Sequence, residues 1–245
     1  MSGRERLDKV LVDRGLVKSR ERAKALVMEG RVAVDGSRVL KAGTPVAADA
    51  DVVLRGADIP FVSRGGLKLQ AALDFFTLEP AGAVAMDIGC STGGFTDCLL
   101  KRGVRKVYAV DVGYGQFDWA LRGDRRIILF EKTNIRYLGR DAVREPIDLA
   151  VIDVSFISLL KVLPKALEFL AEHGSVLALV KPQFEVGREL VGKGGVVRDE
   201  SARMSAVEKV LQGAGPMGFA VVGRFESPVP GQKGNREYFV YLKKE

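Results

Sequence analysis

Asp87-Ile-Gly-Cys-Ser-Thr-Gly-Gly-Phe-Thr96 follows the apolar run 83–86 and leads into the helix-like stretch 97–101. This is the signature of a strand, a glycine loop and a helix. Such a loop brings a ligand close to the backbone at a helix N-terminus, where free N–H groups and the helix dipole are available. A dinucleotide loop would read Gly-x-Gly-x-x-Gly, its middle glycine admitting the pyrophosphate. Ser91 stands at that position, which disfavours a diphosphate. Asp111 follows the next strand-like run, 106–110, and lies 24 residues after Asp87, where such βαβ units place the acid that grips ribose hydroxyls. A nucleoside without a diphosphate is implied, and S-adenosylmethionine fits. Asp87, Gly89, Ser91, Gly93, Gly94, Phe95 and Asp111 are the candidate cofactor residues.

A chain of 245 residues suffices for one large core plus a small appended domain. No apolar stretch approaches the roughly 18 residues of a membrane span, and residues 1–12 are too charged for a signal peptide, so a cytoplasmic protein is expected. The two cysteines, Cys90 and Cys98, suit neither a disulfide scaffold nor a zinc cluster, and no metal is expected. The single histidine, His173, precedes Gly174 and reads as a helix end. One histidine leaves no room for a Ser-His-Asp hydrolase or a histidine-rich metal site. Residues 1–41 hold 11 Lys or Arg against 6 Asp or Glu, while residues 42–245 hold 27 against 25. The basic excess is local, as expected for a surface that meets a polyanion such as nucleic acid.

Two short amphipathic helices are expected at 6–14 and 19–29, with Ser19 as N-cap of the second, then strands at 31–34, 37–40 and 51–54 around an Asp35-Gly36 turn. The series Arg6-Leu7-Asp8, Gly15-Leu16, Ser19-Arg20, Ala23, Gly30, Val32, Val34, Gly36 resembles the S4 RNA-binding domain over residues 4–54. The resemblance implies that Arg4, Arg6, Lys18, Arg20, Arg22 and Lys24 face RNA phosphates, as positioning contacts.

We place an S4-like domain at 1–54, a linker at 55–66 around Pro60 and Gly65-Gly66, and a second domain at 67–245. A helix is expected from 66 to about 76. Strands follow at 83–88, 106–111, 126–131, 147–153, 175–181, 217–225 and 236–243, with helices near 94–102, 116–122, 158–171 and 200–213. The last two strands lack an intervening helix and should pair antiparallel. The fold class is α/β: a seven-stranded, mostly parallel, Rossmann-like sheet in the class I methyltransferase arrangement, with a small N-terminal α+β module. The stretch 187–199, with four glycines beside Arg188 and Lys193, is expected to be a mobile basic loop that closes over RNA.

In an open parallel sheet the ligand crevice lies beyond the carboxyl ends of the strands, which places Asp153 and Lys181 there. Strand-end reasoning alone does not place Lys68 or Glu237. The set Lys68, Asp153, Lys181, Glu237, with Asp-Ile-Gly-x-x-x-Gly-Gly-Phe and Val-Lys-Pro-Gln-Phe-Glu at 180–185, resembles the TlyA family. That family is the S4-fused branch of the FtsJ/RrmJ-like ribose 2′-O-methyltransferases, some members of which carry a haemolysin label. The resemblance implies that these four residues are catalytic, that Asp153 lies by the methionine end of the cofactor and Asn134 by the adenine edge, and that the substrate is a cytidine ribose of ribosomal RNA in one or both subunits. Lys181 would either take the hydroxyl proton as a neutral amine or, charged, orient the hydroxyl and stabilise the developing alkoxide. Asp153-Val-Ser-Phe156 is similar to the Asp-Pro-Pro-Tyr segment of amino methyltransferases but lacks both prolines, which favours an oxygen acceptor; Phe156 itself reads as a core residue. Two other classes remain in view: a non-catalytic RNA-binding assembly factor, and a cytolysin, for which no amphipathic membrane segment is found.

Overall fold

The structure, a computed structural model, describes residues 4–17, 20–28, 30–55 and 59–245. Lys18, expected at an RNA phosphate, and Ser19, expected as a cap, lie outside the described residues. The chain divides into two compact units, Met1–Asp58 and Ile59–Glu245.

In the first unit a short strand β1 (Arg4–Arg6) runs into α1 (Leu7–Asp13), and α2 (Arg20–Met28) follows. Leu7, Val10 and Leu11 of α1 bury against Ala23, Leu26 and Val27 of α2, as the helical spacing of these apolar residues requires. Strands β2 (Val32–Val34), β3 (Ser37–Val39), β4 (Pro45–Ala47) and β5 (Val52–Leu54) complete the unit. β2 lies between β3 and β5, antiparallel to both. Asp35 and Gly36 take φ of 48° and 76°, the left-handed pair that a two-residue hairpin turn needs. β1 pairs antiparallel with β4. Neither strand was expected, and Arg6 is extended rather than helical; three-residue strands of this composition carry no usable alternation.

Asp8 is fully buried at the start of α1. Its carboxylate accepts from Arg6 Nε and Nη2, both at 3.0 Å, and from Arg20 Nη2 at 3.1 Å. Two of the expected phosphate contacts are therefore also internal ligands of one acid.

Near the start of the second unit, Phe61 is buried in its core although it falls within the expected linker, and the Val62 N–H donates to Asp97 Oδ2 at 2.9 Å. Helix α3 (Gly65–Phe75) buries Leu69, Ala72 and Leu73. Then come β6 (Val84–Ile88), α4 (Gly94–Lys101), β7 (Lys106–Val110), α5 (Trp119–Arg122), β8 (Ile127–Phe130), β9 (Ile147–Ile152), α6 (Leu163–Phe169), β10 (Leu170–Val180), α7 (Glu200–Ala214), β11 (Phe219–Glu226) and β12 (Tyr238–Lys244). The sheet order is β11-β12-β10-β9-β6-β7-β8, with β12 antiparallel to both neighbours and all other pairs parallel. This is the expected class I arrangement. Apolar residues fill both faces, one cluster around Met86, Ile152 and Phe219 and the other around Leu69, Leu99 and Phe239, as a parallel sheet covered on two sides demands. Among the described residues no helix is long and apolar enough to cross a membrane.

One local expectation fails. His173 and Gly174 do not end a helix; α6 stops at Phe169 and both residues belong to β10. A Cβ at Gly174 would lie 2.7 Å from the Ile147 carbonyl oxygen, so this glycine serves a close approach of β10 to β9, beside the register shift between Leu170 and Ser175.

Arg6, then Arg20, hold the Asp8 carboxyl down at about 2 against the opposing effect of burial. A lowered folded-state value contributes stability above the ordinary carboxylate pKa of about 4, and that stability is lost as pH falls through about 2. Acid titration followed by hydrogen exchange over residues 7–13 should show protection fading between about pH 4 and pH 2. Asp8→Asn should be weakened already at neutral pH and insensitive across that window.

Candidate active site

Strand register sets the site. Ile88 pairs with Val110 on one side and Ile152 on the other, so Gly89, Asp111 and Asp153 leave adjacent strands at one level. Because β12 is antiparallel, its first residue, Tyr238, pairs with Val180, the last residue of β10. Glu237 and Lys181 are thereby brought to the same edge. Lys68, in the first turns of α3, reaches this edge and pairs with Glu237, Nζ to Oε2, at 2.5 Å. Lys181 Nζ lies 2.7 Å from Asp153 Oδ1 and donates to Ser155 Oγ at 2.9 Å. All four expected catalytic residues line one cavity of about 470 Å³.

Gly89 has φ of +86°, and a Cβ there would lie 2.6 Å from the Asp153 carbonyl oxygen. The loop then turns through Ser91, at φ +46°, whose N–H donates to Asp111 Oδ2 at 2.8 Å. Gly113 N–H donates to Asp111 Oδ1 at 2.6 Å. Each carboxylate oxygen keeps a further lone pair. Asp111 faces a second cavity of about 510 Å³, shared with Asn134, Ile135, Phe156, Ile157 and Val162. Its volume and its mix of apolar walls and few polar groups suit a nucleoside. The two cavities share Gly89, Ser91, Asp153, Ser155 and Phe156. A smaller cavity of about 220 Å³ adjoins them, lined by Ser63, Arg64, Lys68, Gly94 and Phe95 among others.

Asp87 and Gly93 stand apart from these walls. Gly93, at φ +92°, caps α4 beneath Phe117 and Leu121. Asp87 is fully buried, its Oδ2 accepting from Thr96 Oγ1 at 2.6 Å; it braces the loop from below. Asn134 does two things at once, lining the Asp111 cavity and accepting the Arg136 N–H at 3.1 Å. Both thiols are buried, which pushes Cys98 up to about 12 and Cys90 higher still, so neither is a nucleophile.

The sequence profile of FtsJ-like methyltransferases matches residues 61–244 and that of the S4 domain residues 5–52. The chain belongs to the FtsJ-like methyltransferase family. It is 45% identical over 244 residues to the 16S/23S rRNA (cytidine-2′-O)-methyltransferase TlyA of Mycobacterium tuberculosis, covering 99% of this chain and 91% of that protein. A solved structure from Streptococcus thermophilus, described as a hemolysin, superposes with a TM-score of 0.78 at 43% identity, covering 100% of this chain and 90% of that one. A Listeria monocytogenes structure described as an S-adenosylmethionine dependent methyltransferase shares the fold, with a TM-score of 0.54 at 16% identity over 75% of this chain and 100% of that one.

Several wall residues carry no motif in the sequence. Lys233 and Asn235 line the lysine cavity from the loop before β12, and a Cβ at Gly231 would overlap the Glu237 carboxylate. Asn235 Oδ1 accepts the Val197 N–H at 3.1 Å and its Nδ2 donates to the Gly195 carbonyl at 2.9 Å. The stretch 187–199 is therefore tied down at its far end, and Gly192 and Val196 form a bridge within it. Its Gly194 and Gly195 reach the cavity, while Arg188 and Lys193 are exposed and stand outside the lining. Phe156 corrects an expectation: it is 90% exposed at φ +64°, tilted against Phe184 with ring centroids 5.1 Å apart. Val154 and Ile157, close to it in sequence, are apolar, which makes a rim residue look like core.

Burial pushes the Asp87 carboxyl up to about 7, against the Thr96 hydrogen bond. The folded protein then holds a proton that the unfolded chain releases near pH 4, so stability falls as pH rises from about 4 to about 7 and levels off above. Melting temperatures across pH 4–8 should show that slope, and Asp87→Asn should flatten it; parallel curves for the two proteins would contradict the assignment.

Proposed function

We propose that this chain methylates the 2′-hydroxyl of a cytidine ribose in ribosomal RNA, using S-adenosylmethionine. The observation that carries the reading is the pair of ion contacts, Lys68–Glu237 and Lys181–Asp153, on the wall of a cavity that opens into the Asp111 cavity. The cytidine and the ribosomal RNA come from the relationship to the M. tuberculosis enzyme. The two lysine–carboxylate pairs and the absence of both prolines from 153–156 support an oxygen acceptor.

Asp111 would hold the cofactor ribose, with Asn134 at the adenine edge and the backbone of Gly89 and Ser91 along the remainder. Ser63 and Arg64 add polar groups near the N-terminus of α4. When bound, S-adenosylmethionine supplies an electrophilic methyl group on a sulfonium. A ribose hydroxyl is a weak nucleophile until its proton is leaving, so the protein must orient it and stabilise the developing alkoxide. Lys181, held by Asp153 and Ser155 on the cavity wall, would either take that proton as a neutral amine or, charged, orient the hydroxyl and stabilise the alkoxide while solvent carries the proton away. Glu237 and Lys68 pair with each other on the same cavity lining, which holds Lys68 to its own carboxylate and leaves Lys181 to the hydroxyl. Phe156, exposed where the two cavities meet, offers a flat face to a base extruded from the RNA stack. The S4 unit would supply sequence-independent phosphate contacts through Arg4, Arg6, Arg20, Arg22 and Lys24, and Arg188 and Lys193 add charge on the 187–199 stretch.

Transfer of labelled methyl groups to purified ribosomal subunits tests the reading. Wild-type protein should label RNA, and Lys181→Ala should lower kcat by about 10²-fold or more, the scale of losing one directed transition-state donor. Affinity for S-adenosylhomocysteine should stay within about threefold, since Lys181 is outside the Asp111 cavity wall. Undiminished transfer by the variant would refute the role of Lys181.

A further inference from the structure

Glu185 ends the Val-Lys-Pro-Gln-Phe-Glu stretch, and nothing in the transfer reaction uses it. It is buried, yet both carboxylate oxygens are engaged. Oε2 accepts from Ser158 Oγ at 2.6 Å and Oε1 from the Leu159 N–H at 2.7 Å. Its main-chain carbonyl accepts from Lys209 Nζ of α7 at 2.8 Å, so the residue is anchored from behind. Burial pushes its carboxyl above the ordinary value while the Ser158 and Leu159 bonds pull the other way. A buried acid with no cation on its carboxylate oxygens among the described residues is a costly way to hold a loop, because charge and polar groups resist leaving water.

What it holds is the loop that leaves β9. That loop and the one leaving β10 touch at three successive levels: Lys181 with Ser155, Phe184 with Phe156, and Glu185 with Ser158 and Leu159. The near end of the β9 loop is fixed by Asp153 N–H donating to the Ile88 carbonyl at 2.9 Å. Between these two anchors Phe156 keeps φ +64°, a conformation that a phenylalanine holds only when its surroundings impose it. Glu185 is the far anchor.

We propose that Glu185 is a positioning residue: by clamping Ser158 and Leu159 it holds Ser155 against Lys181 and Phe156 against Phe184, where the two cavities meet. The proposal rests on the reading of Lys181 as the group that handles the acceptor hydroxyl. Geometry is what the clamp supplies. A glutamine meets the same demand, its carbonyl accepting from Leu159 and its amide donating to Ser158 Oγ, whose hydroxyl is free to rotate.

The test combines kinetics with an exchange measurement on the full-length protein. Glu185→Ala should lower kcat by about tenfold or more, and Glu185→Gln should stay within about threefold of wild type. On a Ser155→Ala background, Glu185→Ala should add less than about threefold, since residues acting through one contact are not additive. Hydrogen exchange across residues 153–160 should rise in Glu185→Ala and remain at the wild-type level in Glu185→Gln. If Glu185→Ala fails to fold, Ser158→Ala removes one arm of the clamp and should show the same non-additivity with Ser155→Ala. Independent, multiplying effects of Glu185 and Ser155, or a glutamine variant as impaired as alanine, would overturn the proposal. Unchanged exchange in Glu185→Ala would overturn it whether or not the protein methylates RNA, whereas an inactive wild type with the expected exchange pattern would leave the clamp standing and remove the reading of the site.

Discussion

A Cβ atom at residue 89 would lie 2.6 Å from the Asp153 carbonyl oxygen, so the glycine loop and the end of β9 meet only because residue 89 is glycine. That approach makes a single site out of two halves. Gly89 and Asp153 line the Asp111 cavity and the lysine cavity alike, and a side chain at 89 would push the wall between them outward. The loop is then held from both sides, by Asp111 above through the Ser91 and Gly113 amides and by Asp87 below through Thr96. The loop is in this way held in place by the protein's own hydrogen bonds.

The charges around the lysine cavity follow from the sheet. Parallel strands deliver Asp153 and Lys181 to one edge, and the antiparallel β12 delivers Glu237 to the same edge by entering where its neighbours leave. Two lysines and two carboxylates then balance in two separate pairs, one of them with Glu237 only 2% exposed. Removing one partner of a buried pair leaves an uncompensated charge and costs more than the pair contributes. The quartet is therefore coupled, and substitutions within it should not be read as independent. Lys233 is the fifth charge on this wall, at φ +56°.

The sheet and its glycine loop were legible in the sequence because long, period-consistent segments bounded by glycines and acids leave little choice of structure. Asp111, Asp153 and Lys181 were legible for the same reason, each standing just past a strand. Lys68 and Glu237 needed a resemblance, since a residue on an entering helix or before an antiparallel strand has no strand-end signal. Glu185 stood in the quoted 180–185 motif with no role legible there, and Lys233 and Asn235 carried no signal at all: their positions depend on how loops fold over the sheet edge, and single polar residues in loops look alike in one dimension. His173 and Phe156 were misread because local pattern was allowed to outweigh tertiary contacts, a close approach to β9 in one case and an exposed rim in the other. In the first unit, β1 and β4 are too short to show any periodicity.

The central claim is that the crevice beyond these strands presents a ribose oxygen, and no base nitrogen or carbon, to the methyl donor. The most direct measurement is the position of the transferred methyl group in RNA from subunits treated with the protein and S-adenosylmethionine. Nuclease digestion followed by mass spectrometry should yield a 2′-O-methylcytidine whose 3′ phosphodiester resists alkali. A methyl group on a base, with the adjoining linkage still cleaved by alkali, would contradict the account.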